Sequence, residues 1–375
     1  MLNGASLKCF TVDCQRGPMT QHDGAQNGDS ARPKHTHDDA SAGGTTATTL
    51  SKRKLVLFAD GTGNAFTAQE SSVWRLYEAL DHTQPDQIAH YIISAGGKRI
   101  RPLLVLLFSG ALGFKGRERF ELAATVEFIH TATLLHDDVV DESALRRGRR
   151  TANAMFGNAA SVLVADFVYS RAFQMMVSVN RMRVLDVLAD ATNVIAEGEV
   201  LQLMNMHDPD VAVEDYLQVI RFKTAKLFEA SARLGAVLAD ADSATEEACA
   251  DYGRSLGTAF QLVDDLLDYE GATEQLGKNV GNDLREGKPT LPLLIAMERG
   301  TADERAIVRH AIEHGEVARL AEIVAIVRAT GAIDATRDAA RAEADKARAS
   351  LDVLPSSPYR DALLDLSVRS VERSS

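Results

Sequence analysis

LLHDDVVDESALRRGRR, residues 134–150, decides how the chain reads. Asp137 and Asp141 are four apart, so on a helix they lie one turn from each other on a shared face. Asp138 is rotated by about 100° and sits at the edge of that face. Like charges at this spacing repel. Yet Ile129, Leu134, Leu135, Val139 and Val140 embed the motif in apolar sequence, which disfavours an exposed acidic turn. A divalent cation converts the repulsion into a site, and oxygen-only ligands favour Mg2+.

The pattern recurs in FQLVDDLLDYE, residues 260–270, where Asp264, Asp265 and Asp268 repeat the spacing on another apolar stretch. If the two helices face each other, six carboxylates converge across a cavity, and they cannot coexist there without cations. Mg2+ held by few carboxylates completes its octahedron with water and substrate phosphates. Basic groups for the outer phosphate oxygens are at hand. AGGKRIRP (95–102) supplies Lys98, Arg99 and Arg101, and Arg146 and Arg147 follow the first Asp motif directly. FKTAKLF supplies Lys223 beside Thr224, and LGKNVGNDLREGKPT supplies Lys278 and Lys288, each after a Gly. Arg grips phosphate bidentately, whereas Lys acts as a point charge. The chemistry these groups suit is rupture of a carbon–oxygen bond to diphosphate. The departing charge is stabilised electrostatically and the carbocation is shielded from water by apolar surroundings.

From about Ile92 onward the apolar residues fall on a helical repeat, as in VLDVLADATNVIAEGEVLQLMNM and YLQVIRFKTAKLFEASARLGAVLA. Several of these helices are apolar on more than one side, as buried helices of a large bundle are. The fold class expected is therefore all-α, a large helical bundle. Residues 1–50 are rich in Gly, Ser, Thr, Asp and His and read as a disordered tail. Its HTHDD (35–39) reads as solvated rather than metal-binding. Residues 51–91 change character: KLVLFADGTGN reads as a strand and a Gly-rich turn, and SSVWRLYEALDHT (71–83) as a helix. The helical domain of the chain is then 92–375.

Net charge is −12, which argues against nucleic acid as a partner, since that affinity rests on clustered Lys and Arg. RRGRR alone suggests a basic patch, but its acidic neighbours oppose that reading. Two of the three cysteines, Cys9 and Cys14, lie in the tail, so no disulfide framework or Cys-rich metal site is expected. No secretory leader is expected at the N-terminus. The longest apolar run, PLLVLLFSGALGF (102–114), is too short to span a bilayer. A cytoplasmic protein is expected, with at most peripheral membrane contact for a greasy product.

GGKRIRP, EFIHTATLLHDDVVDESALRRG, AEGEVLQL, KTAKLFEA, GTAFQLVDDLLDY and GKNVGNDLREGKPTLPLL together resemble the trans-prenyl diphosphate synthases, over residues 92–375. The resemblance implies an all-α, isoprenoid-synthase-type bundle around a deep central cavity. It also implies Mg2+-dependent head-to-tail condensation of isopentenyl diphosphate onto an allylic diphosphate such as farnesyl diphosphate, in a homodimer. It implies Asp137, Asp141, Asp264 and Asp268 as Mg2+ ligands, with Asp138 and Asp265 in support. It implies Lys98, Arg101, His130 and Arg147 for isopentenyl diphosphate, and Arg146, Lys223, Lys278 and Lys288 for the allylic diphosphate. Thr224 and Gln261 would face the developing cation, and the released diphosphate would take the final proton. Ala132 and Thr133 precede Asp137 by about one turn. Short-chain members of the family carry aromatic residues there, so two small residues imply a long product. The long-chain branch that makes quinone side chains implies C40.

Residues of about 52–91 resemble the opening of an uncharacterised α/β-hydrolase-like domain, where the family usually has a long helix. The G-x-S-x-G of such a hydrolase does not occur in the chain. This atypical N-terminus leaves a non-catalytic or inactive partner subunit as the alternative. Two other classes fit less well. A class I terpene cyclase usually mixes Asn, Ser and Glu in its second motif. A di-iron bundle needs two E-x-x-H motifs, and Glu127 with His130 gives one.

Overall fold

The computed structural model describes residues 97–146, 148–270 and 281–372. The expected tail (1–50), the hydrolase-like fragment (51–91), the start of the core domain, Arg147 and Lys278 lie outside the described residues. Helix α1 (Ile100–Ala111) follows Gly97, Lys98 and Arg99, and its Leu104, Val105, Leu107 and Phe108 are almost wholly covered. Helix α2 (Glu118–Val140) opens with Glu118 and Glu121, acids that favour the positive end of a helix dipole. It is apolar on several sides and is buried accordingly. A tight antiparallel hairpin follows, β1 (Leu145–Arg146) with β2 (Arg149–Arg150), turning at Gly148 with φ +72°.

Short α3 (Ala152–Phe156) leads into α4 (Asn158–Ser178) and α5 (Met182–Asn205). Helix α6 (Val213–Ile220) runs through a π turn (Arg221–Ala225) into α7 (Lys226–Leu238) without a break. The longest helix, α8 (Ser243–Glu270), ends on the second Asp motif. Then come α9 (Asn282–Arg285), α10 (Leu291–Arg299), α11 (Ala302–His314), α12 (Leu320–Ala329), α13 (Ala332–Ser350) and α14 (Pro358–Glu372). Helix α11 starts on a capping box: Thr301 and Glu304 satisfy each other's backbone N–H groups.

Helix α7 organises the bundle. One side of it, through Leu227, Ala230 and Leu234, joins a core built with α2, α4 and α5. Its Phe228, Ala232 and Ala236 join a second core with α1, α8, α13 and α14. A third core gathers α6, α8, and α10 to α13. Burying a side chain such as Phe228 stabilises the fold by about 1.5–3 kcal/mol. The all-α architecture is as the periodicity predicts, the small hairpin being the exception. Among the described residues no helix is long and apolar enough to cross a membrane.

Candidate active site

Both Asp motifs end helices. Asp137 and Asp138 occupy the last turn of α2 and Asp141 is its C-cap, while Asp264, Asp265 and Asp268 occupy the last two turns of α8. A helix C-terminus carries the negative end of the dipole, so six carboxylates there are doubly unfavourable unless cations join them. A cavity of about 180 Å³ lies beside these ends, and Asp137, Asp141, Asp265 and Asp283 contribute carboxylates to its wall. Lys223 and Lys288 contribute ammonium groups, Thr224, Gln261, Gln202 and Asn205 neutral polar groups, and Val219 and Ile220 apolar surface.

The cations sit among the acids. Lys223 Nζ is 2.6 Å from Glu199 and 3.9 Å from Asp137. Lys288 Nζ is 3.4 Å from Asp141 and also pairs with Glu286. Arg146, at the hairpin, donates to Asp138 at 2.8 Å, which ties the hairpin to the end of α2. A polar chain crosses the far wall: Thr224 Oγ1 donates to Gln261 Oε1 (2.9 Å), and Gln261 Nε2 donates to Asp265 Oδ1 (2.7 Å). Tyr216 Oη donates to the other Asp265 oxygen at 2.5 Å.

The π turn that carries Lys223 and Thr224 is clamped between two helices at glycines. A Cβ on Gly198 of α5 would lie 2.6 Å from the Lys223 backbone nitrogen, and one on Gly257 of α8 would lie 2.6 Å from Ala225 Cα. Only glycine allows both approaches. An extra residue in the helix at this point re-aims the two side chains into the cavity, a common use of π turns.

Burial raises the pKa of Asp137, with Lys223 opposing and Asp141 adding to the rise. Burial likewise raises Asp138 against the lowering by Arg146, and raises Glu199 with help from Asp137. Asp265 is pushed up to about 6 by burial, despite the bonds from Tyr216 and Gln261. Asp283 stands well above the carboxylate range, through burial and then Asp268 and Asp265. Burial works against the Lys288 ammonium, but Asp141, Glu286 and Asp283 outweigh it and hold its pKa above the ordinary value. A site whose carboxylates resist ionisation, and whose groups able to ligate a metal are oxygens, fits a hard divalent cation.

The expected residues are not all used alike. Lys98, Arg101 and His130 gather at the start of α1. Arg101 lies 3.1 Å from the His130 ring and 4.4 Å from the Phe228 ring centre, and Lys98 stands 5.7 Å over Phe260. Phe260 and Phe228 touch each other, with centroids 5.6 Å apart. Glu127 pairs with Arg99, which accounts for the E-x-x-H without a metal. Asp268 is turned away from the cavity: its carboxylate accepts the backbone N–H groups of Gly281, Asn282 and Asp283, and so caps α9. Asp264 is half-buried, and it is the middle residue, Asp265, that reaches the cavity wall. Ala132 is packed into the α2–α4 core and Thr133 is half-buried.

Glu199, Asp283 and Tyr216 were not among the residues singled out from the sequence. Glu199 lies in AEGEVLQL and Asp283 in GNDLREGKPT, so both stood inside recognised motifs. Tyr216 has no sequence signal, being one hydroxyl on an otherwise apolar helix face.

An all-helical bundle whose Asp-rich helix ends meet buried lysines at a cavity defines the isoprenoid-diphosphate class of enzyme. Residues 82–327 match the polyprenyl synthetase family, and the chain belongs to it, among the trans-prenyl diphosphate synthases. It is 57% identical over 289 residues to the octaprenyl diphosphate synthase of Escherichia coli K12, covering 77% of this chain and 90% of that protein. The crystal structure of a decaprenyl diphosphate synthase from Rhodobacter capsulatus superposes with a TM-score of 0.77 at 45% identity, over 81% of this chain and 95% of that one. A polyprenyl synthase from Caulobacter crescentus CB15, crystallised with calcium and isoprenyl diphosphate, gives 0.75 at 46% identity, over 81% and 98%.

Proposed function

We propose that this chain is a Mg2+-dependent long-chain prenyltransferase that condenses isopentenyl diphosphate head-to-tail onto farnesyl diphosphate, giving a C40 all-trans diphosphate for a quinone side chain. The observation that carries this reading is the meeting of the two Asp-bearing helix ends with Lys223 and Lys288 at one cavity. Similarity to octaprenyl and decaprenyl diphosphate synthases supports the long product.

Asp137 and Asp141 from α2, and Asp265 with its neighbour Asp264 from α8, are the residues that would hold Mg2+; Asp268, engaged by the backbone N–H groups of 281–283, caps α9 instead. Bound Mg2+ supplies neutralisation of the leaving diphosphate. Lys223, Lys288 and Arg146 bind the allylic diphosphate by exchanging a carboxylate partner for a phosphate oxygen, and Lys278 joins them there. Lys98, Arg101, His130 and Arg147 bind isopentenyl diphosphate. The carbonyl of the Gln261 amide, whose oxygen accepts from Thr224 and whose nitrogen donates to Asp265, and the Thr224 oxygen present negative dipoles to the allylic cation. Val219 and Ile220 exclude water beside them. The released diphosphate accepts the final proton.

The catalytic unit in this reading is 92–375, and 51–91 is a grafted fragment. The enzyme is a cytoplasmic homodimer with at most peripheral membrane contact. Exposed Leu163 and Val177 on α4 and Met182, Val200, Leu203 and Met204 on α5 support burial against a second copy. The test is an assay of the full chain with farnesyl diphosphate and labelled isopentenyl diphosphate, sizing the dephosphorylated products. A C40 product that disappears with chelator and returns with Mg2+ is expected. Absence of any product from folded protein would sink the reading.

A further inference from the structure

HAIEHGE, residues 310–316, ends α11, and none of its residues lines the cavity. His310 and His314 are one helical turn apart and Glu313 lies between them. One ligand atom from each of the three falls within 4.8 Å of the others, and all three side chains are exposed. The imidazole rings already overlap, with centroids 4.2 Å apart. His314 Nδ1 lies 2.9 Å from the His310 carbonyl oxygen. A carbonyl can only accept, so Nδ1 carries the proton and Nε2 presents its lone pair outward. That is the tautomer and orientation that a backbone carbonyl sets in metal-ligating histidines.

Two further features favour a cation here. The cluster occupies the last turn of the helix, where the dipole is negative. Glu316 places a carboxylate oxygen 3.2 Å from the His310 ring, adding a second acid to the same face. Glu313 also contacts Arg309 at 3.3 Å, but Arg309 has Asp210 as a second partner, so Glu313 can be released without stranding the guanidinium.

We propose that the last turn of α11 binds a borderline-soft divalent transition metal of the Zn2+ class through His310, Glu313 and His314, separately from the Asp-rich site. Two imidazoles and a carboxylate with water in the fourth position make an open tetrahedral set. Imidazole ligands select such metals over Mg2+, which prefers oxygen. The two sites therefore sort cations by hardness: oxygen donors alone at the cavity, mixed nitrogen and oxygen on α11.

Titration calorimetry of Zn2+ into the full chain, with Mg2+ in large excess to occupy the oxygen site, tests this. Wild type is compared with His310→Gln/His314→Gln, and a His35→Gln/His37→Gln variant accounts for the HTHDD stretch. One Zn2+ event is expected to survive in the second variant and to weaken by more than about tenfold in the first. Glu313→Gln should weaken the same event by a smaller factor, and it serves if the double variant folds poorly. With Co2+ as the probe, the wild type should show d–d absorption that H310Q/H314Q lacks. Identical isotherms and spectra in wild type and H310Q/H314Q would overturn the assignment.

Discussion

The two Asp motifs share one spacing and end two helices, yet the molecule uses them differently. At the end of α2 the outer pair, Asp137 and Asp141, faces the cavity, and the middle residue turns inward to Arg146. At the end of α8 the middle residue, Asp265, faces the cavity, and the last, Asp268, caps α9. Helix α2 stops at its third aspartate, so that residue is free of helical neighbours beyond it. Helix α8 continues to Glu270, and the backbone at 281–283 returns across its end. Identical spacing fixes which residues share a helix face. What arrives opposite that face decides which of them meets the ligand.

The difference can be broken most severely on the α2 side. Asp137→Ala removes a carboxylate from the cavity and leaves Lys223 with Glu199 alone. Loss of one electrostatic element aimed at the reacting charge costs about 10²–10³ in kcat, and product formation under saturating substrates should fall at least that far. The melting temperature without metal should hold or rise, because burial and Asp141 already disfavour the Asp137 charge. A variant that loses stability in step with activity would show that Asp137 is structural.

The next test concerns Asp265 and pH. Its pKa is about 6 when folded, against 3.8 for the free group. Between those values the folded state holds a proton that the unfolded state lacks, so stability falls as pH rises through this window. The full effect is on the order of 3 kcal/mol. In metal-free protein, Asp265→Asn should gain stability relative to wild type as pH rises from about 4 to above 6, then level off. Chemical denaturation at a series of pH values measures it. A difference that is flat across the window would mean that Asp265 titrates normally.

Asp268→Ala should give the opposite signature to Asp137→Ala. Three backbone N–H groups lose their acceptor, which at an N-cap costs about 0.5–2 kcal/mol. Asp268→Asn keeps one acceptor oxygen and should recover part of that stability. Comparing denaturation midpoints with turnover for both variants separates a cap from a metal ligand. If both variants keep wild-type stability and both lose activity, the capping role fails and the ligand role implied by the family stands.

Much of this was legible in the chain itself. Helical periodicity gave the all-α bundle because nearly every segment repeats at the helical period. Two Asp motifs, with Lys223 and Lys288, pointed to the cavity because their spacing is local and survives folding. The facing of Asp268 was not legible, since its partners lie thirteen to fifteen residues later and meet it only through the return of the chain. Glu199 acquires its role from Lys223, twenty-four residues away on a π turn that periodicity does not signal. The hairpin at 145–150 was hidden because four arginines in five residues read as charge rather than as strand.

The smallest effect on rate, and the sharpest on outcome, is expected one turn before each motif. Four residues ahead of Asp264 stands Phe260, packed on Phe228 beneath Lys98. Four residues ahead of Asp137 stands Thr133, whose hydroxyl does no more than bond back to the His130 carbonyl at 2.9 Å. One helix therefore carries a ring at this level and the other a small side chain. Thr133→Phe makes the first helix imitate the second. Its ring would project one turn below Asp137, where the proposed reading sends a growing chain as it leaves the diphosphate site. The first condensations should proceed at near wild-type rate, since the carboxylates and lysines are untouched, while later ones stall. Chromatography of the dephosphorylated products should then show a shift to shorter chains, and Thr133→Ser should leave their length unchanged. A full-length product from Thr133→Phe would mean that the chain grows along another wall, and that this face of α2 has no part in setting its length.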